Sequence, residues 1–270
     1  MPQLPDAHDN MSLAWASYEM AQTTLEVFGP AVDVSRQRVL DVGCGLGGKT
    51  VYYAEQGACS VVGLDVSEER ARVALALAGR HPAGVKVRIV VGDAARLPFR
   101  ADLFDCVIST DTWEHLNAPI LALGECARVV QPGGTVLIST LPYFSPWGAH
   151  AWNWLPLPWI QAILPRHGLF SLVSWIEQRR RINTRLPSAV RLDWMRPNDP
   201  AHARGLTVAA LERGLSVSGM RTARFTVVPV GASYGSIMTR LTQVLIRLPL
   251  LREVLAGLVI VVMRKPLPEE

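Results

Sequence analysis

A cluster of glycines between a strand-like and a helix-like segment constrains this chain most. Residues 39–50 read VLDVGCGLGGKT, in which Val39 and Leu40 suit a buried strand and four glycines follow within residues 43–48. Glycine permits backbone angles that other residues avoid, and it lets main-chain N–H groups approach a ligand at the positive end of a helix dipole. The stretch therefore predicts a strand, a tight turn and a helix that together bind a nucleotide-like cofactor.

Two classes of cofactor fit this turn. Gly43, Gly45 and Gly48 satisfy the G-x-G-x-x-G pattern of dinucleotide-binding proteins, which also place an acidic residue about 20 positions further on. Asp65, at the end of the apolar run 60–65, supplies that residue. Asp41 favours the other class, because a carboxylate just before the glycines would repel a pyrophosphate but attract a cationic ligand such as a sulfonium.

Five segments in order resemble the class I S-adenosylmethionine-dependent methyltransferases. The family's first motif, D/E-x-G-x-G-x-G, is matched by Asp41 to Gly47. The later matches are SVVGLD at 60–65, VVGDAARLPF at 90–99, FDCVIST at 104–110 and RVVQPGGTVLIST at 128–140. The EHL at 114–116 resembles the small-molecule branch typified by quinone-biosynthesis enzymes, methyltransferase type 11.

This resemblance implies S-adenosyl-L-methionine as the cofactor and suggests its contacts. Asp65 would accept hydrogen bonds from the ribose hydroxyls, and Val66 would lie against the adenine. Asp93 would accept from the adenine amino group, and Ala94 would offer its backbone N–H. The expected cofactor-binding residues are Asp41, Gly43, Cys44, Gly45, Gly47, Asp65, Val66, Asp93, Ala94 and Thr110.

Strands and helices alternate along the chain, which predicts an α/β fold with a doubly wound, mostly parallel sheet. The resemblance implies seven strands of the Rossmann-like type, closed by an antiparallel strand within the pair 221–230 and 257–265. We expect a helical cover at 1–34, a cofactor-binding core at 35–141, an inserted lid at 142–204 and the remainder of the α/β domain at 205–270. In the cover, Trp15 and Tyr18 either contact the cofactor or pack in the core, and core packing is the default for aromatic residues at helical spacing.

The predicted lid is rich in tryptophan, proline and arginine, and includes the run Arg179 to Arg181. This composition favours a cover over an apolar or amphiphilic acceptor, lipid-like molecules included; the alternative is a cap that packs on the sheet and exposes its arginines. The residues expected to contact the acceptor are Trp113, Trp147, His150 and Trp152.

Methyl transfer requires the acceptor to be held in line with the methyl group, water to be excluded and, for some acceptors, a base. Asp111 follows the fourth strand at the mouth of the site, and His150 follows the fifth, with an ordinary pKa near neutral pH. Both are candidate catalytic residues, and a structural role for His150 is the alternative. Glu114 and His115 are expected to orient their loop by hydrogen bonds.

Composition limits the partners. The net charge of +4 is too small to indicate nucleic acid, and the four scattered cysteines lack a metal-like spacing and are typical of reduced thiols in a cytoplasmic protein. No signal peptide is expected at the N-terminus, and no segment is long enough to span a bilayer. Arginines on the apolar segment 236–253, namely Arg247 and Arg252, favour either transient peripheral membrane contact or a helix that docks on the sheet.

Two other functions stay open from the sequence. A nicotinamide-dependent oxidoreductase would share the glycine turn, although no Tyr-x-x-x-Lys pair occurs in the chain. A non-catalytic S-adenosylmethionine-binding partner subunit would share every motif. Nothing in the sequence specifies an oligomeric state.

Overall fold

Residues 10–29, 32–146, 157–164, 206–230 and 236–268, with several helical residues between 168 and 179, are described by the computed structural model of the chain. Most of the predicted lid lies outside these residues, and so do Trp147, His150 and Trp152. None of the helices in the described ranges is both long enough and apolar enough to cross a membrane.

One mixed sheet organises the described residues. Its strands are β1 (Arg38–Val42), β2 (Ser60–Asp65), β3 (Val87–Val91), β4 (Phe104–Thr110), β5 (Val130–Thr140), β6 (Arg221–Pro229) and β7 (Ala256–Arg264). They lie in the order β3-β2-β1-β4-β5-β7-β6. β7 is antiparallel to both of its neighbours, and the strands from β3 to β5 are parallel. The predicted doubly wound, mostly parallel sheet with an antiparallel closing strand is confirmed.

Helices connect and cover the strands. They are α1 (Asn10–Glu19), α2 (Ala21–Glu26), α3 (Gly48–Glu55), α4 (Glu68–Ala78), α5 (Pro119–Val129), α6 (Ile160–Ile163), α7 (Val208–Val217), α8 (Ser236–Leu245) and α9 (Pro249–Leu255). Side chains cap two of them, because Ser67 Oγ accepts from the Arg70 N–H and Thr207 Oγ1 accepts from the Ala210 N–H.

The core lies on both faces of the sheet, as expected of parallel strands covered by helices. Adjacent β1 residues point to opposite faces: Val39 packs in the cluster that includes α1, α3 and α4, and Leu40 packs in the cluster that includes α5 and α7. The described cysteines are free thiols, and Cys44, Cys106 and Cys126 are buried. Burial raises the pKa of Cys106 to about 12 and that of Cys126 to about 12, which keeps these thiols unreactive.

Strand direction decides where the loops gather. The carboxyl ends of β1 to β4 meet at one edge because these strands are parallel. β7 runs the other way, and Pro229 at the end of β6 pairs with Ala256 at the start of β7. The connection that contains α8 and α9 therefore leaves and re-enters the sheet at the same edge as the loops after β1 to β4.

Candidate functional site

A cavity of about 700 Å³ opens at the carboxyl ends of β1 to β4. It is the size of a site for a small molecule or cofactor. Nine of the ten predicted cofactor residues line it, together with the candidate catalytic residue Asp111: Asp41, Gly43, Cys44, Gly45, Asp65, Val66, Asp93, Ala94 and Thr110. Gly47 is the exception: it lies off the cavity wall, where a Cβ would come within 2.6 Å of the Ala74 Cβ in α4. Its place in the motif therefore serves helix packing.

Two glycines of the turn have different reasons to lack a side chain. Gly45 has φ +55°, and a Cβ there would meet nothing within 4 Å, so it leaves open space on the cavity side. Gly48 lies under α1, where a Cβ would stand 2.4 Å from the Ala14 carbonyl oxygen and 2.5 Å from the Tyr18 nitrogen. The N-terminal helix thus passes directly over the glycine turn.

This helix covers the cavity through Ser17, which lies on the cavity wall. Trp15 and Tyr18 instead pack beside His81, with ring centroids 6.0 Å and 5.3 Å away. Tyr18 also donates a hydrogen bond to Glu55 of α3, and its pKa is raised to about 12 by burial and by that carboxylate. Of the two roles considered for Trp15 and Tyr18, core packing is the one observed, and it holds α1 in place.

Asp65 presents a carboxylate that the main chain holds rigidly. One oxygen accepts from the Gly45 N–H and the other from the Ser67 N–H, each at 2.9 Å. The side chain is nearly buried yet forms part of the cavity wall. A carboxylate oxygen can accept more than one hydrogen bond, so Asp65 is a preorganised acceptor for a pair of hydroxyl groups.

Asp93 is arranged similarly at the end of β3. Its Oδ1 accepts from the Ala95 N–H at 2.9 Å and begins the short 3-10 helix Ala94–Arg96. Val66 is 75% exposed and lines the cavity, where it offers an apolar surface against which a flat ring can lie. The residues expected at the ribose and the adenine are therefore together at one side of the cavity.

Asp41 lies deeper, at the end of β1. Thr50 Oγ1 donates to its carboxylate at 2.6 Å. Burial raises the pKa of Asp41 to about 6, although the Thr50 hydrogen bond and the nearby Lys49 charge act in the opposite direction. A cationic group in the cavity would stabilise the ionised form, so the site is suited to a positively charged ligand.

Lys49 is a cavity residue that the sequence analysis missed. Its Nζ donates to Thr110 Oγ1 and to Asp111 Oδ2, both at 2.8 Å, and so it connects the first turn of α3 to the end of β4. Asp111 has φ +54° and donates its own N–H to the Ser139 carbonyl. A lysine at a helix N-terminus opposes the helix dipole, and this unfavourable placement was the available signal.

Trp113, Glu114 and His115 follow one another in the loop after β4, but their side chains have different surroundings. Trp113 is 1% exposed and packs in the α5–α7 cluster, so the structure corrects its predicted contact with the acceptor. The 3-10 turn Trp113–His115 points its first side chain into the core, whereas His115 lines the cavity. Glu114 accepts from Thr140 Oγ1 at 2.7 Å, consistent with its predicted role in orienting the loop.

Strand order, glycine turn and the acidic residues after β2 and β3 together define the class I S-adenosylmethionine-dependent methyltransferase fold. Residues 40–138 match the model of a family described as a methyltransferase domain. Residues 40–138 are therefore similar to a methyltransferase domain, as the resemblance implied. Within the described residues, no group of His, Cys, Asp and Glu side chains could hold a metal ion.

Several similar proteins are methyltransferases whose names refer to small molecules. The chain is 34% identical over 102 residues to ajmaline N-methyltransferase of Rauvolfia serpentina, a match that covers 38% of this chain and 35% of the relative. It is 36% identical over 104 residues to the ubiquinone biosynthesis O-methyltransferase of Rhizobium etli, covering 38% of this chain and 41% of the relative. The matches span less than half of these relatives.

The fold likeness extends further than the sequence likeness. The structure of an S-adenosylmethionine-dependent methyltransferase from Mesorhizobium loti superposes with a TM-score of 0.55 at 20% identity and covers 91% of this chain and 98% of that one. At this identity the likeness concerns the fold. The described residues outside 40–138, which include β6 and β7, therefore belong to the same general fold.

Proposed function

We propose that this protein transfers a methyl group from S-adenosyl-L-methionine to a small apolar or amphiphilic acceptor, at oxygen or carbon. The observation that carries the proposal is the pair of buried aspartates on the cavity wall. Asp65 is fixed by two main-chain N–H groups, and burial raises the pKa of Asp41 to about 6. One suits neutral hydroxyls and the other suits a cation.

The residues of the cavity fit each part of this cofactor. Asp65 would hold the ribose hydroxyls, while Val66, Asp93 and Ala94 would hold the adenine. Asp41 would face the positively charged sulfonium and ammonium groups, and Lys49 would face the carboxylate of the methionine part. The cofactor supplies an activated methyl group on sulfur.

The remaining chemistry belongs to the acceptor side. A methyl transfer to a hydroxyl forms a C–O bond, breaks the C–S bond and releases the hydroxyl proton. Asp111 lies on the cavity wall with a half-exposed side chain, and we assign it to accept that proton. His150 and the tryptophans at 147 and 152 remain proposed acceptor contacts that lie outside the described residues. A cytoplasmic setting and peripheral contact with a membrane belong to this proposal.

Two alternatives make different demands on the cavity. A nicotinamide dinucleotide would bring a pyrophosphate towards the glycine turn, where the ionised Asp41 would repel it. A non-catalytic binding subunit would bind the cofactor without turnover. Because one of the similar proteins is an N-methyltransferase, a test should also include nitrogen acceptors.

The test is a transfer assay with methyl-labelled S-adenosylmethionine. The acceptor panel contains phenols, carboxylic acids, amines and compounds with an acidic C–H group, each with and without an alkyl or prenyl chain. We expect label in one class of chain-bearing acceptor with equimolar S-adenosylhomocysteine, loss of that label in Asp65→Ala, and its retention in Asp102→Ala, a change in an exposed ion pair with Lys265. Cofactor binding without transfer to any of these acceptors would favour the non-catalytic subunit.

A further inference from the structure

The helices α8 and α9 lie at the cofactor edge of the sheet and leave a face uncovered. They connect the end of β6 to the start of β7, and α9 begins four residues after α8 ends. Thr242 of α8 is buried, whereas Leu241 and Val244, on the other side of the helix, are exposed. The Ile246 N–H donates to the Thr242 carbonyl, so the helical turn continues beyond the end of α8.

The exposed face is apolar along one side. Leu241, Val244 and Leu248 follow one another at three and four residues, which places them on one side of a helical segment. Each of them is more than half exposed, and Leu250 at the start of α9 is 84% exposed. We call these four residues, with Arg240 and Arg247, the α8–α9 surface.

The charge beside this apolar strip has one sign. Arg240 and Arg247 are seven residues apart and exposed, so they flank Val244 on the same side of the helix. Residues 236–252 include three arginines and no aspartate or glutamate. An anionic partner is therefore complementary to the surface.

The two charged residues that follow this surface, Arg252 and Glu253, have partners within the protein. Arg252 donates to both carboxylate oxygens of Glu212, at 2.8 Å and 2.6 Å. Glu253 accepts from the Val208 and Ala209 N–H groups at the start of α7. Arg252, which the sequence grouped with Arg247, is thus paired with Glu212, whereas Arg240 and Arg247 are exposed.

The predicted lid contributes a described segment nearby. Trp159 donates its indole N–H to the Val254 carbonyl of α9 at 2.8 Å. Leu157 and Ile163, from the same segment, are exposed. Apolar side chains from two parts of the chain therefore reach solvent in the region of α9.

We propose that the α8–α9 surface docks on a lipid bilayer that contains anionic headgroups. The leucines and Val244 insert at the level of the headgroups, and Arg240 and Arg247 contact phosphate groups, as in interfacial amphipathic helices. A second copy of this chain fits less well, because a two-fold interface through the same surface would bring arginines towards arginines. Docking here brings the cofactor edge of the sheet to the membrane, where an amphiphilic acceptor would be held.

The experiment is sedimentation of the full chain with liposomes at low and high salt. One set contains phosphatidylcholine alone and the other contains phosphatidylcholine with about a third phosphatidylglycerol. We expect several-fold more protein with the anionic liposomes at low salt, and roughly a five-fold weaker association for each arginine removed in Arg240→Gln and Arg247→Gln. The matched control is Arg80→Gln with Arg88→Gln, two exposed arginines at the β3 side, which should sediment like the wild type.

A second pair of variants tests the apolar part. Leu241→Ser with Leu248→Ser should lower binding to anionic liposomes without changing S-adenosylhomocysteine affinity, and retained cofactor affinity shows that the fold is intact. Equal sedimentation with neutral and anionic liposomes would overturn the proposal. So would a dimer, seen by analytical ultracentrifugation, that dissociates in the leucine variants while the wild type ignores liposomes. Because cofactor binding is measured separately, failure here leaves the proposed methyl transfer standing.

Discussion

The two halves of the sheet place different surfaces at the same edge. Beyond β1 to β4, carboxylates point inward and are held by hydrogen bonds, as at Asp41 and Asp65. In the connection between β6 and β7, the apolar side chains of Leu248 and Leu250 are exposed, and the charged residues from 236 to 252 are all arginines. The cofactor half is organised by buried polar contacts and the other half by exposed apolar area. Mutations should therefore be able to impair cofactor binding without impairing the proposed membrane docking, and the reverse.

The largest expected effect is a block of the cofactor half by Gly45→Val. A β-branched residue is strained at φ +55°, and its side chain would extend into the cavity. We expect S-adenosylhomocysteine affinity to fall at least about 100-fold, while anionic liposome binding stays unchanged. Gly124→Ala in α5, where a Cβ also meets nothing within 4 Å, is the control and should bind the cofactor normally.

A smaller loss is expected for Asp65→Ala. The variant removes the acceptor of two ribose hydrogen bonds and frees the Gly45 and Ser67 N–H groups. The expected cost is roughly 1.5–3 kcal/mol of affinity, or about 10- to 150-fold in the calorimetric dissociation constant. Asp102→Ala, far from the cavity lining, should leave that constant alone. Asp93→Ala should cost less than Asp65→Ala, because adenine is also held by apolar contact.

Asp41→Asn should stabilise the fold at neutral pH and at the same time weaken the binding of a cationic cofactor. The pKa of Asp41 is about 6 in the folded protein, above its usual 3.8, because of burial, so the folded state favours the protonated carboxyl. This contribution to stability is full below about pH 4 and is lost as pH rises through about 6. At pH 7 the neutral amide should therefore raise the free energy of unfolding by roughly 1–3 kcal/mol in urea denaturation, with no gain at pH 4.

The same variant should discriminate between two ligands. S-adenosylmethionine carries a positive sulfur that S-adenosylhomocysteine lacks, so Asp41→Asn should weaken the first more than the second at pH 7.5. The difference should shrink below pH 6, where wild-type Asp41 is also neutral. Equal losses for both ligands at both pH values would show that Asp41 does not respond to the sulfonium charge.

The smallest effect is expected for Lys49→Met. Its ion pair with Asp111 is partly exposed, so its loss should change the free energy of unfolding by less than about 1 kcal/mol. Cofactor affinity should fall several-fold if Lys49 faces the methionine carboxylate. Lys265→Met breaks a comparable pair with Asp102 outside the cavity lining and should leave calorimetric affinity unchanged. If Lys49→Met and Lys265→Met bind the cofactor with the same affinity, Lys49 does not contact the cofactor.

Residues near the cofactor were predictable where the signal is local. The bounds of β2 and β4 agree with the predicted 60–65 and 104–110, because buried parallel strands appear as continuous apolar runs between turns. β3 begins at Val87, directly after the 3-10 helix Pro82–Lys86. The glycine turn and Asp65 follow from spacing, whereas Asp93 was implied by the family resemblance.

Contacts between distant parts of the chain were not predictable. Lys49 meets partners 61 and 62 residues away, and no local pattern joins them. Trp113 lies beside the site in sequence, but the sequence does not reveal which side of a 3-10 turn faces the core. Arg252 looked like a surface charge until its bidentate contact with Glu212 placed it against α7.

The most direct test of the account is titration of the wild-type chain by calorimetry with S-adenosylhomocysteine and, separately, with NADH. The cavity geometry predicts one S-adenosylhomocysteine bound per chain and no measurable heat from NADH, because the carboxylate of Asp41 would repel the pyrophosphate of a dinucleotide. Binding of NADH with no binding of S-adenosylhomocysteine would contradict the central claim and restore the oxidoreductase interpretation.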